Sequence, residues 1–360
     1  MANYINIDES NEAFSKNLQK AIQSANLNFL IGSGCSFPAI SSLGNIENDV
    51  QVKIENGELD EANKLIFNFL NPFLESTNQL LKGSDFDNEH EETLGNYKIF
   101  LESISKILFE RKSNILHKQA TVFTTNYDLF IEKNADENSD FLILNDGFKR
   151  TPSLSYTYKL STSEFFNTTY NTGNLYRYQV QVPVINLIKL HGSLNWEIKN
   201  GNIVHSLEYL SEAEKLKNSD EPTEIEKFVG LFTLILPKKD KFKETIQNQI
   251  YYDLLRIYAN ELDKENTLLI AEGFSFADEH ILDLTKRALK NPTLKIIVFC
   301  FSAKDKEIYH KMFSAFNNVE IVYSEENISF EKFNIILSDI LPKNREISAD
   351  LDKIEDFSDE

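Results

Sequence analysis

The chain has 360 residues, 41% hydrophobic and 26% charged, which is enough apolar material for one large core or two smaller ones and excludes wholesale disorder. With 56 acidic against 37 basic residues the net charge is -19, which repels phosphate backbones at long range and argues against direct nucleic-acid binding. Cys35 and Cys300 are the only two cysteines, so neither a disulfide framework nor a thiolate zinc ribbon can be built.

The opening "MANYINIDES" has no basic segment followed by an apolar one, and no uninterrupted apolar run approaches bilayer length. A cytoplasmic chain without membrane contact is therefore expected. Short apolar runs that read as strands recur at 29–31, 121–124, 141–144, 184–190, 231–236, 268–271, 295–299 and 319–323. Several lack polar alternation, as strands covered on both faces do. Helical stripes separate the later runs, one through Ile250, Leu254, Ile257 and Tyr258 and another through Ile281, Leu284 and Ala288. The alternation predicts an α/β fold, a Rossmann-like parallel sheet with helices on both faces.

The expected main domain covers residues 1–345 and carries two departures from that alternation. Leu59, Ala62, Leu65, Ile66, Phe69 and Phe73, then Phe100, Ile104, Ile107 and Leu108, follow helical spacing and define a helical insertion over 45–118. The acidic linker "KGSDFDNEHEE" sets its two helices apart. An excursion over 147–182, rich in Ser, Thr, Tyr and Asn with "NTGN" at Asn171, reads as irregular or hairpin-containing. Lys238, Lys239, Lys241 and Lys243 form a basic run that reads as a solvated loop. Residues 346–360 form an acidic tail, expected to be solvated; the alternative is a docking peptide anchored by Ile354 and Phe357.

Three motifs stand at strand ends. In "NLNFLIGSGCSFPAIS" an apolar run meets Gly32-x-Gly34, so free backbone N–H groups at a helix start would face an anion such as a pyrophosphate. Phe37 stands where a third glycine of the dinucleotide fingerprint would fall, and a tight turn needing glycine dihedrals is the competing reading. In "VFTTNYDLF" a strand ends in Thr124, Thr125, Asn126, Tyr127 and Asp128, at the carboxyl edge where such sheets bind ligands. Asn126 suits a water or a ribose hydroxyl, while Asp128 accepts from a hydroxyl or caps the next helical turn. In "INLIKLHGSLNW" His191 and Gly192 follow a strand directly, which puts a histidine at the same rim.

These motifs, together with Gly273-Phe274-Ser275 in "LLIAEGFSFADEH", resemble the sirtuin fold. More specifically, "GSGCSFPAI", "FTTNYD", "LIKLHGSLNW" and "EGFSFADEHI" resemble the bacterial sirtuin-like proteins of anti-phage defence. The resemblance implies NAD+ as substrate, with its phosphates cradled by Gly32, Ser33, Gly34 and Ser36 around Cys35. It puts Asn126 and Asp128 at the nicotinamide and ribose end beside Thr125, and His191 near the ribose hydroxyls. Gly273 and Ser275 would line the cofactor site. A side chain at Gly34 would fill the space where phosphates approach. Cys35 reads as a small spacer or as a thiol activated by its loop.

Sirtuin deacetylases carry four zinc-binding cysteines, which this chain lacks, so no zinc is expected. Their G-I-P-D-F-R segment is replaced by "FPAIS", and Thr125 stands where they have glutamine. The implied activity is therefore NAD+ hydrolysis to ADP-ribose and nicotinamide, with Asn126 holding the attacking water, His191 taking a proton or orienting the ribose, and Asp128 fixing the geometry. The alternatives are a zinc-free protein deacylase and a non-catalytic sensor of NAD+ or ADP-ribose. Unchecked hydrolysis would poison the host, so a homo-oligomer or a partner, a HerA-type ATPase, is expected to control it. The helical module is the expected interface.

Overall fold

The continuous apolar runs become inner strands of one parallel sheet, because a strand covered on both faces has no solvent side to carry alternating polar residues. The computed structural model describes residues 2–41, 46–83, 86–111, 113, 115–138, 142–150, 157–172, 179–235 and 249–341. β1 (Asn3–Asn6), α1 (Ile7–Ser24) and β2 (Asn26–Ile31) come first, followed by a 3₁₀ turn over Ser33–Ser36. α2 (Glu47–Glu55), α3 (Leu59–Leu81) and α4 (Asn88–Glu110) lead to β3 (Gln119–Thr124) and α5 (Phe130–Glu137). The short strands β4 (Leu144–Asn145), β5 (Phe148–Lys149), β6 (Lys159–Leu160), β7 (Tyr170–Thr172) and β8 (Gln179–Gln181) precede β9 (Val184–Lys189). β10 (Trp196–Lys199), β11 (Asn202–His205), α6 (Leu210–Leu216) and α7 (Pro222–Gly230) follow. The chain continues with α8 (Gln249–Asp263), β12 (Thr267–Glu272), α9 (Glu279–Ala288) and β13 (Leu294–Phe299). α10 (Lys306–Phe313), β14 (Val319–Tyr323) and α11 (Phe330–Asp339) complete it.

The main sheet runs β1-β14-β13-β12-β2-β3-β9-β4. Every neighbouring pair in it is parallel. From β2 the chain moves outward to β3, then returns past β9 to lay β12 on the opposite flank of β2. Strand order therefore reverses between β2 and β12, and that switch point is where sheets of this kind bind ligands. Leu27, Phe29 and Ile31 of β2 join one buried cluster, while Leu30 joins the other, so helices cover both faces. On one face Phe29 meets Phe100 of α4 edge-on at 5.2 Å, and on the other Phe123 of β3 meets Tyr258 of α8 at 4.9 Å.

The apolar stripes of α3 and α4 are mostly covered within the chain, with Ile66, Leu70, Leu74, Phe100, Ile104 and Leu108 at 0% exposure, while Leu59 at the start of α3 is 60% exposed. α3 packs mainly on α2 and α7, and α4 on α5 and α11. The two long helices thus serve different neighbours.

Several sequence readings are corrected. The run 231–236 forms no strand among the described residues: it follows α7 directly, and Leu234 makes one antiparallel bridge to Gly192. The run 141–144 contributes only Leu144–Asn145 to the sheet; residues 141 and 236 lie outside the described residues. The edge strand β1 was not anticipated, nor was the antiparallel sheet β10-β11-β6-β5. β7 and β8 pair as antiparallel strands within the 147–182 stretch. Lys238, Lys239, Lys241, Lys243 and the tail 346–360 lie outside the described residues. No described helix is long and apolar enough to cross a membrane.

Candidate functional site at the carboxyl edge of the sheet

The carboxyl ends of β2, β3, β9 and β12 bring the motif residues to one edge because these strands run parallel and in register. Ile31 pairs with Thr124 on one side and with Glu272 on the other, and Thr124 pairs with Lys189.

The loop after β2, the expected phosphate cradle, packs closely against the turn that follows β12. Gly32 N–H donates to Glu272 O at 3.0 Å, Gly34 N–H to Gly273 O at 3.1 Å, and Cys35 N–H to Gly32 O at 3.1 Å. These groups are therefore not free for an anion, and the one-turn 3₁₀ segment supplies no long helix dipole. A Cβ on Gly32 would lie 2.2 Å from Gly273 O, and one on Gly34 would lie 2.9 Å from Gly273 Cα. The glycines thus permit two loops to touch backbone to backbone, and the space at Gly34 is filled by Gly273. Gly32→Ala is expected to destabilise the fold by about 2–3 kcal/mol, the scale of overpacking against unyielding atoms; an unchanged urea midpoint would refute the close approach.

Cys35 is fully buried and its thiol donates to Glu272 O at 3.5 Å. Burial and the nearby Glu272 push that thiol well above its usual range, so the activated-thiol reading falls and the spacer reading stands. Ser33 and Gly34 remain exposed on the loop, as does Ser275 beyond β12. Ser275 Oγ accepts from Ala277 N–H at 3.3 Å. Gly273 (φ 61°) and Phe276 (φ 55°) both take left-handed backbone in this turn. Phe276 holds that conformation because its ring is wedged between Phe274 at 5.0 Å and Phe313 at 5.2 Å.

Behind the rim, the end of β3 supplies a buried polar cluster. Asn126 Nδ2 donates to Gly32 O at 2.9 Å and to Ser36 Oγ at 3.1 Å. Ser36 Oγ donates to Asp128 Oδ2 at 2.7 Å, and Tyr97 of α4 joins Ser36 at 3.0 Å. Burial raises the Asp128 carboxyl above its ordinary range, against the opposing pull of Lys189, the Ser36 hydroxyl and the Phe130 N–H. Asp128 thus meets both the loop and the first turn of α5, and Thr125 stands half-buried beside it. Lys189 is buried beneath the cluster, 2.9 Å from Glu132 Oε1, and also donates to the Asp128 carbonyl and to Ser193 Oγ.

His191 emerges from the neighbouring strand, where Leu190 N–H donates to Thr124 O at 2.8 Å. Its carbonyl accepts from Ile235 N–H at 2.8 Å, and Gly192 (φ 90°) makes the turn beside Thr233 O. Its Nε2 lies 3.1 Å from Asp278 Oδ2, at the start of α9. Asp128, expected to fix the geometry, meets the glycine loop through Ser36.

Tyr97, Lys189 and Asp278 were missed by sequence reasoning. Tyr97 sits on a helix stripe indistinguishable from other core aromatics; Lys189 and Asp278 lay inside motifs already noticed, which was the available signal. A larger apolar cavity of about 640 Å³, bordered by Lys98, Phe109, Leu142 and Pro183, includes none of these groups. The strand ends carry the polar chemistry, and volume alone does not identify the site. Among the described residues no cluster of three or more His, Cys, Asp or Glu is arranged to hold a metal ion.

Fold and site together define a doubly wound α/β protein whose polar residues gather at the switch point of a parallel sheet. Residues 120–321 match the family described as "SIR2-like domain", and with more than half of its length matched the chain belongs to that family. The match includes Asn126, Asp128, His191, Gly273, Ser275 and Asp278, and membership supports an NAD-dependent function of the sirtuin type. A solved structure, that of Sir2Tm bound to a propionylated peptide, aligns at 13% identity over 90% of this chain and 97% of that chain, with a TM-score of 0.45. Comparison with curated proteins yields no match.

Proposed function

We propose that the chain is an NAD+ glycohydrolase that releases nicotinamide and ADP-ribose, and that it acts in anti-phage defence by depleting NAD+. The observation that carries this reading is the placement of Asn126 and His191 just beyond the ends of the paired parallel strands β3 and β9, with the histidine ring partly exposed at the rim and the amide buried behind it. Cleavage of the C1′–N bond leaves its electron pair on nicotinamide and an oxocarbenium-like ribose, which water attacks with loss of a proton. Asn126 spends its Nδ2 donors on Gly32 and Ser36, so its Oδ1 is the atom left to accept from that water. His191 takes the proton or holds the ribose hydroxyls. Asp128 holds Ser36, and through it the loop of exposed Ser33 and Gly34.

Homo-oligomerisation and control by a HerA-type ATPase belong to the same proposal, supported by the motif resemblance and by the need to restrain such an activity. A binding-only sensor is the competing reading, favoured by the internal satisfaction of the Asn126–Ser36–Asp128 cluster. The test is to incubate the purified chain, alone and with the ATPase, with NAD+ and no acyl-lysine, and to follow nicotinamide by chromatography. Stoichiometric nicotinamide and ADP-ribose are expected. Calorimetric binding of NAD+ without any release would replace the hydrolase with the sensor.

A further inference from the structure

The two oxygens of the Asp278 carboxylate have separate duties. Oδ1 accepts from the N–H groups of His280 at 2.9 Å and Ile281 at 3.1 Å, capping α9. Oδ2 lies 3.1 Å from His191 Nε2, with both side chains largely shielded from solvent, at 9% and 15% exposure. The cap fixes the carboxylate to the helix, and the turn from Gly273 to Phe276, with its two left-handed residues, fixes the helix start relative to β12. On the other side the His191 backbone is clamped by Ile235. The ring is therefore addressed from a rigid support.

We infer that Asp278 is the positioning residue of His191, setting which ring nitrogen carries the proton. An ionised carboxylate only accepts, so its neighbour Nε2 is the protonated nitrogen of the neutral ring. Nδ1 then keeps the lone pair and is the atom that takes a proton from water or a ribose hydroxyl. This catalytic consequence rests on the proposed hydrolase; the pairing itself does not. Asp278 touches no reacting atom and acts through the imidazole.

Asp278→Asn separates the two duties. The asparagine Oδ1 can still cap α9, which turns its NH₂ toward Nε2 and drives the ring proton to Nδ1, the same logic by which amide replacement disables a histidine in carboxylate-oriented triads. Asp278→Ser keeps a capping oxygen but withdraws the contact. The full chain, labelled with ¹⁵N-histidine, is examined by NMR, with His191→Ala identifying the His191 signals. The expected result is an Nε2–H ring in the native protein and an Nδ1–H ring in D278N. In D278N, kcat for nicotinamide release should fall by about 10- to 100-fold with KM within about twofold, because orientation in the transition state is lost while binding is kept. An unchanged tautomer in D278N overturns the inference, as does an unchanged kcat with a well-folded Asp278→Ser control. If native protein releases no nicotinamide under any condition, the hydrolase reading fails, and the tautomer measurement still decides the pairing.

Discussion

His191→Ala is expected to lower the rate of nicotinamide release at least about a hundredfold, the usual scale for losing a general base or a group that holds the reacting ribose. The ring sits at the rim of the sheet, 15% exposed and outside both apolar core clusters, so its removal should change the melting temperature little. Asn126→Ala should cost at least as much activity, but with a stability signature of its own. Its amide joins Gly32 O and Ser36 Oγ in a buried cluster, and leaving those partners unsatisfied costs about 1–3 kcal/mol. Initial-rate kinetics paired with urea unfolding distinguishes the two variants. Native rates in His191→Ala would remove the histidine from the mechanism.

Lys189→Met should produce the largest loss of stability of any single change at this edge, about 3–5 kcal/mol, the range for deleting one partner of a buried ion pair. The Lys189 side chain is 4% exposed and its ammonium meets Glu132 at 2.9 Å, so a methionine of similar length leaves that carboxylate without its cation. Burial already raises Glu132 above its ordinary range, with Lys189 opposing the rise. A carboxyl whose folded-state pKa is raised destabilises the fold by an amount that grows as pH rises from the unfolded value to the folded one, is full above the folded value and vanishes below the unfolded one. The deficit of Lys189→Met should therefore be largest at neutral and alkaline pH and shrink under mild acid. Urea titrations across that range measure it. A pH-independent deficit would show that lost packing, not the stranded charge, is responsible.

Much of the sheet was legible in the sequence because inner parallel strands are buried on both faces and must be written as unbroken apolar runs. β2, β3, β9, β12, β13 and β14 all fall on such runs. The motif residues were legible for a related reason: chemistry-bearing side chains in this architecture follow directly on the strands that carry them, so a polar cluster after an apolar run marks the edge. β1 was not legible, since its residues "NYIN" bury little and its place comes from backbone pairing to β14. The same apolar signal misled at 231–236, where burial comes from clamping the turn after β9 and not from joining the sheet. The glycine loop was legible as a place of close backbone approach, but its contact with Gly273 was not, because a sequence does not name the distant segment that packs against a turn. His191 with Asp278, Ser36 with Tyr97 and Lys189 with Glu132 are pairings between distant segments, with no local periodicity to announce them. They arise only when strand order brings β9 within reach of the loop after β12, and α4 over the end of β2.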